Sequence, residues 1–271
     1  MVSRSFWRSL RVVEHLLTGA LLALYFSVRG RRSGRLPGVV RWWHGRLCRA
    51  LGVRVEVAGR IASGCLLVGN HISWLDIPVL GAQGELGFLS KSEVRGWPLV
   101  GWMAEIAGTH FIARGGNQVE EVRARLAAEV RQGHALLIFP EGTTSDGRLV
   151  RRFHPRLLAV AQSGELAIQP VAIGYRHGDD PAPDVRVPFV GDDTLIANLW
   201  RIVRHPDLVA RIHFLPPIQV SGGEGRRVLA ERARLAIVEA LGLDPRLVAD
   251  AASAPADGDA AVLGQLDPNP I

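Results

Sequence analysis

Two apolar runs in this chain each end abruptly in a polar loop. Cys65-Leu66-Leu67-Val68-Gly69 leads into Asn70-His71-Ile72-Ser73-Trp74-Leu75-Asp76. Ala135-Leu136-Leu137-Ile138-Phe139 leads into Pro140-Glu141-Gly142-Thr143-Thr144-Ser145-Asp146-Gly147. Short continuous apolar runs bounded by Gly or Pro predict buried strands. Residues 53–58 alternate and predict a third strand, with further strands over 167–173 and 211–215. Helical spacing fills the intervals. Val122, Leu126 and Val130 recur every four residues over 119–132, and Gly133 ends the pattern. Val228, Leu229, Ala233, Ile237 and Leu241 share one face of 226–241, with Gly242 after it. Residues 36–52 predict an amphipathic helix that begins after Pro37 and carries Trp42, Trp43, Leu47 and Leu51, and 153–163 predict another helix. Strands alternating with helices predict an α/β fold with a mixed, largely parallel sheet flanked by helices.

The amino-terminal pattern is different. Residues 16–28 are apolar or small apart from Thr18, Tyr25 and Ser27, and Glu14 and His15 interrupt the run upstream. A full membrane span needs about 20 apolar residues. Both a single span and a helix embedded in one leaflet fit the run. Arg4, Arg8 and Arg11 precede it, and Arg29, Arg31, Arg32 and Arg35 follow. The larger Arg count on the carboxyl side places that side in the cytoplasm. Six of the seven Trp fall within the first 102 residues, as expected of a segment at the headgroup level, while Trp74 and Trp102 also suit a protein core. The chain therefore divides into a membrane anchor at 1–35, a folded domain at 36–247, and a tail at 248–271. The tail is rich in Ala, Asp, Pro and Gly and is expected to be disordered.

Charge and cysteine content narrow the picture. The chain carries a formal charge of +6 and an isoelectric point near 10.5. The tail holds Asp250, Asp257, Asp259 and Asp267 and no Lys or Arg, so the folded body is more basic still. Such a body suits a membrane surface or an anionic substrate. No finger, helix-turn-helix or aromatic–basic interleaving supports nucleic-acid binding. Cys48 and Cys65 have no zinc spacing and form no disulfide framework, which agrees with a reducing compartment. His spacing suggests no metal site. The chain lacks a Gly-x-Ser-x-Gly elbow and a P-loop.

The candidate chemistry lies in the two loops. Ser73 is placed as a helix N-cap with Asp76 in the first turn. His71 then sits at the carboxyl end of a strand, where open α/β sheets hold their chemistry. A neutral imidazole oriented by a carboxylate can take a proton from an alcohol. Asn70 is expected to serve the loop backbone. Gly142 permits close backbone approach.

These segments resemble the membrane glycerolipid acyltransferases of the lysophosphatidic acid acyltransferase type. The first family motif, Asn-His-x4-Asp, stands here as Asn70, His71 and Asp76. Phe-Pro-Glu-Gly-Thr stands as Phe139 to Thr143. A block running from Lys to Arg fits Lys91 to Arg114, and Ile168-Gln169-Pro170-Val171 fits the fourth block. Lys91 is also the one lysine among 32 basic residues. The resemblance covers roughly residues 40–220. It implies transfer of a fatty acyl group from acyl-CoA or acyl carrier protein, as co-substrate without cofactor, to the free hydroxyl of a lysophospholipid. The acceptor it implies is 1-acyl-sn-glycerol 3-phosphate, with lyso-ornithine lipid as the alternative.

On the same basis His71 would be the base and Asp76 its orienting acid. Arg114 and Lys91 would contact a phosphate, while Glu141, Gly142 and Thr143 would shape the acceptor pocket, Glu141 either holding the acceptor or bracing the loop. The family often carries Arg directly after Glu-Gly-Thr. Here Thr144 takes that place, so a phosphate contact is missing or comes from Arg148, Arg151 or Arg152. The expected location is the cytoplasmic face of the inner membrane. A non-enzymatic membrane adaptor would explain the anchor and the Arg excess, but not polar acid–base residues at two strand ends.

Overall fold

The computed structural model describes residues 2–29, 34–97, 99–112, 119–163, 166–220 and 223–244. Arg114 and the tail from 248 on lie outside them. Helices α1 (Val2–Arg29) and α2 (Leu36–Leu51) lead into strands β1 (Val53–Ala58) and β2 (Leu66–Gly69). There follow α3 (Asp76–Gly81), β3 (Leu86–Lys91), α4 (Ser92–Arg95), α5 (Val100–Ile106) and β4 (His110–Ile112). Next come α6 (Val119–Arg131) and β5 (Ala135–Ile138), then a 3-10 turn at Pro155–Leu158 that runs into α7 (Ala159–Ser163). β6 (Ile168–His177), α8 (Leu195–Val203), β7 (Leu208–Phe214) and α9 (Arg226–Ala240) complete the described chain.

The strands form one seven-stranded sheet in the order β1-β7-β6-β2-β5-β3-β4. Every neighbouring pair is parallel except β6 with β7. The expected mixed, largely parallel sheet is what forms. All four residues of β2 are buried, which is why the strand reads as an unbroken apolar run. One face of the sheet packs against α2, α3 and α8 through Leu51, Val79, Leu80 and Ile202. The other packs against α6, α7 and α9 through Leu126, Val130, Val160 and Ile237. β2 and β5 run side by side with Val68 opposite Ile138. Their carboxyl ends therefore abut, and the loops that follow them meet.

The amino-terminal helix does not stand apart from the domain. Val12, His15, Ala23 and Phe26 are buried on one face of α1, and His15 stacks on Trp43 of α2 with ring centroids 4.2 Å apart. Arg8 Nη1 donates to the carbonyls of Val203 (3.2 Å) and His205 (2.6 Å), and Arg46 pairs with Glu14 at 2.6 Å. The opposite face exposes Phe6, Leu10, Val13, Leu17, Leu21, Leu24 and Val28. That spacing is an apolar stripe along a helix whose other side is docked. Trp102, a candidate core residue by sequence, is instead more than a third exposed, because α5 presents it outward.

The helix α3 that begins with Asp76 packs tightly on α2. A Cβ on Gly81 would lie 2.1 Å from His44 Nδ1, too close for any real contact with a ring held in a core. We predict that Gly81→Ala lowers unfolding stability by roughly 1–3 kcal/mol through overpacking. Denaturant unfolding in detergent checks this, and an unchanged midpoint would contradict the close α2–α3 seam.

Candidate active site

The loop after β2 folds back on itself around one carboxylate. Asp76, fully buried, takes the Nδ1 hydrogen of His71 on Oδ2 at 2.7 Å. The same oxygen accepts the backbone N–H groups of Ile72 (2.7 Å) and Ser73 (3.0 Å). Its other oxygen accepts the Tyr175 hydroxyl at 2.7 Å. The sequence placed Ser73 as the N-cap, and this is corrected by the structure: the cap position is Leu75, and the buried Ser73 hydroxyl has no partner among the described residues. Asp76 supplies the turn's hydrogen bonding by reaching back, so the hydroxyl is not used for it. His71 keeps a fifth of its side chain exposed, and its ring lies flat on Phe139 with centroids 4.1 Å apart and planes 14° apart. A neutral imidazole that directs its Nδ1 proton at the carboxylate has its lone pair on Nε2, and Nε2 has no partner among the described residues.

Neighbouring residues hold this arrangement in place. Asn70 bonds Ile173 in both directions, Nδ2–H to O at 2.9 Å and N–H to Oδ1 at 2.8 Å. Its amide thus extends the β2–β6 pairing one residue past the strand. Tyr175 lies two residues beyond Ile173 and so on the same face, which carries its hydroxyl to Asp76. Burial first, then the Asp76 charge, pushes that phenol well above its ordinary range, so it acts as a donor.

Glu141 braces the loops. Its Oε1 accepts the backbone N–H of His71 (2.8 Å) and its Oε2 that of Arg151 (2.9 Å). Of its two possible jobs, the structure shows the bracing one. Ser145 closes the junction by donating its N–H (2.8 Å) and hydroxyl (3.2 Å) to the His71 carbonyl. Gly142 has φ 69°, and a Cβ there would stand 3.1 Å from the His154 ring, so the position favours glycine twice over. Thr143 is exposed beside it. Thr144 donates its hydroxyl to the Phe189 carbonyl, and Phe189 N–H donates to Ile72 O at 3.0 Å. A third loop, before α8, is thereby stitched to the other two. Trp74 adds a bond from Nε1 to Asn198 Oδ1 at 2.8 Å.

His71, Asp76, Glu141, Gly142 and Thr143 therefore come together. Lys91 contributes its backbone to β3 opposite Ile112, and its side chain lies outside what is described. The sequence reading missed Tyr175, Ser145 and the stacking role of Phe139. The period-two pattern Val171, Ile173, Tyr175 was the available signal for the first. A separate cluster brings ligand-type atoms of His177, Asp184 and His205 within 4.8 Å of one another. Asp184 already accepts from His205 Nε2 (2.7 Å), Arg186 N–H (2.7 Å) and the Arg186 guanidinium (3.2 Å). Burial opposes its ionisation, but those donors outweigh it and hold the carboxyl well below its usual range. The cluster reads as a clamp between two loops.

A family model described as Acyltransferase matches residues 52–174. A Pseudomonas aeruginosa protein named lyso-ornithine lipid O-acyltransferase is 46% identical over 244 residues, covering 86% of this chain and 92% of the relative. The chain belongs to the lysolipid acyltransferase family. A Neisseria meningitidis protein named 1-acyl-sn-glycerol-3-phosphate acyltransferase is 31% identical, over 68% of this chain and 72% of its own length. The crystal structure of the 1-acyl-sn-glycerophosphate acyltransferase PlsC from Thermotoga maritima shares the fold, with a TM-score of 0.61 at 22% identity, over 90% of this chain and 96% of that one. The enzyme is thus an O-acyltransferase acting on a lysolipid.

Glu141 gives the site a pH signature. Burial pushes its carboxyl up to about 8, against the two backbone N–H donors that favour the carboxylate. Unfolded, the same group loses its proton near 4.5. Between those values the folded enzyme binds the extra proton, so stability falls as pH rises, by up to roughly 1.4 kcal/mol per unit. We predict this slope between pH 5 and 8 in denaturant titrations of wild type relative to Glu141→Gln. Parallel pH profiles for the two proteins would contradict it.

Proposed function

We propose that the enzyme transfers a fatty acyl group from acyl-CoA or acyl carrier protein to the free hydroxyl of lyso-ornithine lipid. The observation that carries the chemistry is the Asp76–His71 bond at the end of β2, with Nε2 left open. Nε2 takes the hydroxyl proton as the oxygen attacks the thioester carbon. Asp76 stabilises the imidazolium that forms. Collapse of the tetrahedral intermediate expels the thiolate, which receives the proton back from Nε2. No covalent acyl-enzyme is needed. Thr143 and Gly142 border the acceptor, and the motif positions of Lys91 and Arg114 assign them to substrate contacts. The choice of acceptor rests on the 46% identity to a protein of that name and on Thr144 standing where the family often has Arg. The 31% relative favours a second reading, 1-acyl-sn-glycerol 3-phosphate.

The test is an acceptor panel of lyso-ornithine lipid, 1-acyl-sn-glycerol 3-phosphate, glycerol 3-phosphate and water with one acyl thioester. Preferred acylation of lyso-ornithine lipid is expected, and preference for the phosphate-bearing acceptor would overturn it. In the same assay His71→Ala should lower turnover by about 10³-fold or more, in keeping with loss of a general base. A variant within a few-fold of wild type would remove His71 from that role.

The exposed stripe of α1 seats the enzyme in one leaflet in this reading, at the cytoplasmic face of the inner membrane. The helix is long and apolar enough to cross a bilayer over Arg4–Arg29. Its docked face and its contacts to α2 and α8 favour lying in the plane. Replacing Leu17, Leu21 and Leu24 together with Glu, all on the exposed face, is predicted to release the folded enzyme from vesicles. Undiminished vesicle binding would show that the stripe is not the anchor.

A further inference from the structure

Beside the catalytic loops lies a cavity of about 410 Å³ between residues 146–148 and the 185–201 segment. Its size falls within the range of small-ligand sites. Four charged side chains line it: Asp146, Arg148, Asp193 and Arg201, with Val185 and Val190 among its apolar walls. Two of the four satisfy each other. Arg201 Nη1 donates to Asp193 Oδ1 at 3.0 Å, Nη2 donates to Oδ2, and Asn198 Nδ2 adds a bond to Oδ2 at 3.1 Å. The other two do not. Asp146 uses Oδ1 to accept the backbone N–H of Arg148 at 3.0 Å. Its Oδ2 and the Arg148 guanidinium have no partner among the described residues.

The cavity therefore offers one unused carboxylate oxygen and one unused guanidinium, two residues apart on the same short loop. That loop starts at Ser145, which is bonded to the carbonyl of His71 itself. The opposite wall is held by Thr144, whose hydroxyl bonds Phe189 O. The cavity wall is thus tied by hydrogen bonds to the backbone of the residue that carries Nε2. In the neighbouring cavity of about 460 Å³, which Asp146 also lines, both lining arginines are already charge-paired. Its cations Arg176 and Arg211 are both held by Glu56, at 2.8 Å and 3.3 Å.

We propose that the 410 Å³ cavity is the acceptor headgroup subsite, with Arg148 taking a carboxylate and Asp146 an ammonium of a zwitterionic amino-acid head. Ornithine acylated on its α-nitrogen has those two charges. A phosphomonoester would gain Arg148 but meet the unpaired Asp146 carboxylate, Asp193 being neutralised by Arg201, and like charges disfavour it. A guanidinium suits a carboxylate because it donates two parallel bonds to a planar group. The assignment rests on the reading that His71 activates the hydroxyl of this same lipid.

The experiment uses full-length enzyme in mixed micelles with three acceptors: lyso-ornithine lipid, its carboxyl methyl ester, and its side-chain N-acetyl derivative. Wild type should show KM about tenfold or more higher for each derivative, the effect of one charge-assisted hydrogen bond. Arg148→Gln should raise KM for the parent lipid by a similar factor and no longer distinguish it from the methyl ester. Asp146→Asn should do the same for the N-acetyl derivative alone. Both side chains are exposed on a loop, so the fold is not at stake. KM for the acyl thioester should stay unchanged in both variants. Wild-type enzyme that treats all three acceptors alike, or variants that keep wild-type discrimination, would overturn the subsite while leaving the acceptor's identity intact. Failure of wild type to acylate the parent lipid would overturn both.

Discussion

A fully buried carboxylate must be met by donors from several directions, and Asp76 is met by four. Moving such a group out of water costs several kcal/mol, while each hydrogen bond to a charged group returns about 1.5–3 kcal/mol. The donors come from a histidine five residues back, two backbone amides of the same loop, and a tyrosine on a strand a hundred residues away. Satisfying the carboxylate therefore fixes the loop path, the start of α3, the phase of β6 and the tautomer of His71 together. The stack on Phe139 and the Glu141 brace hold what remains free.

This dependence explains what the sequence revealed. β2 and β5 are covered on both faces, so they had to be written in continuous apolar residues, and their loops were visible by contrast. His71 and Asp76 were legible because the spacing lets one turn fold back. The helix faces of α6 and α9 were legible through their period. Ser73 was misread because a hydroxyl before a helix signals a cap, whereas here a carboxylate inside the first turn does that work. Tyr175 was missed because Gly174 and Arg176 break the apolar run, although the alternation persists through them. α8 escaped because Ile196 and Trp200 face outward and blur its pattern. β3 escaped because Gly87, Ser90 and Lys91 break up the apolar residues Leu86, Phe88 and Leu89. Glu141 stood in a motif, but only the fold could show that its oxygens face backbone amides.

The amino-terminal helix and the catalytic loops belong to one mechanical unit. α1 is tied through Arg8 to the end of α8, α8 holds Trp74 through Asn198, and Trp74 belongs to the loop that carries His71. With the apolar stripe seated in a leaflet, as proposed, these contacts would set the height of His71 relative to lipid hydroxyls. The basic body adds attraction to anionic lipid surfaces.

In the proposed mechanism Asp76 makes His71 a base by holding its Nδ1 proton and stabilising the imidazolium that forms. Single-turnover acyl transfer by Asp76→Asn measures this most directly. An amide of the same shape turns its oxygen to the two backbone N–H groups and its NH2 to the Tyr175 hydroxyl, so it keeps the packing and removes the negative charge that stabilises the imidazolium; the expected result is a fall in the chemical rate of about 10²-fold or more with acceptor affinity nearly unchanged. A rate within tenfold of wild type in a folded variant would contradict it.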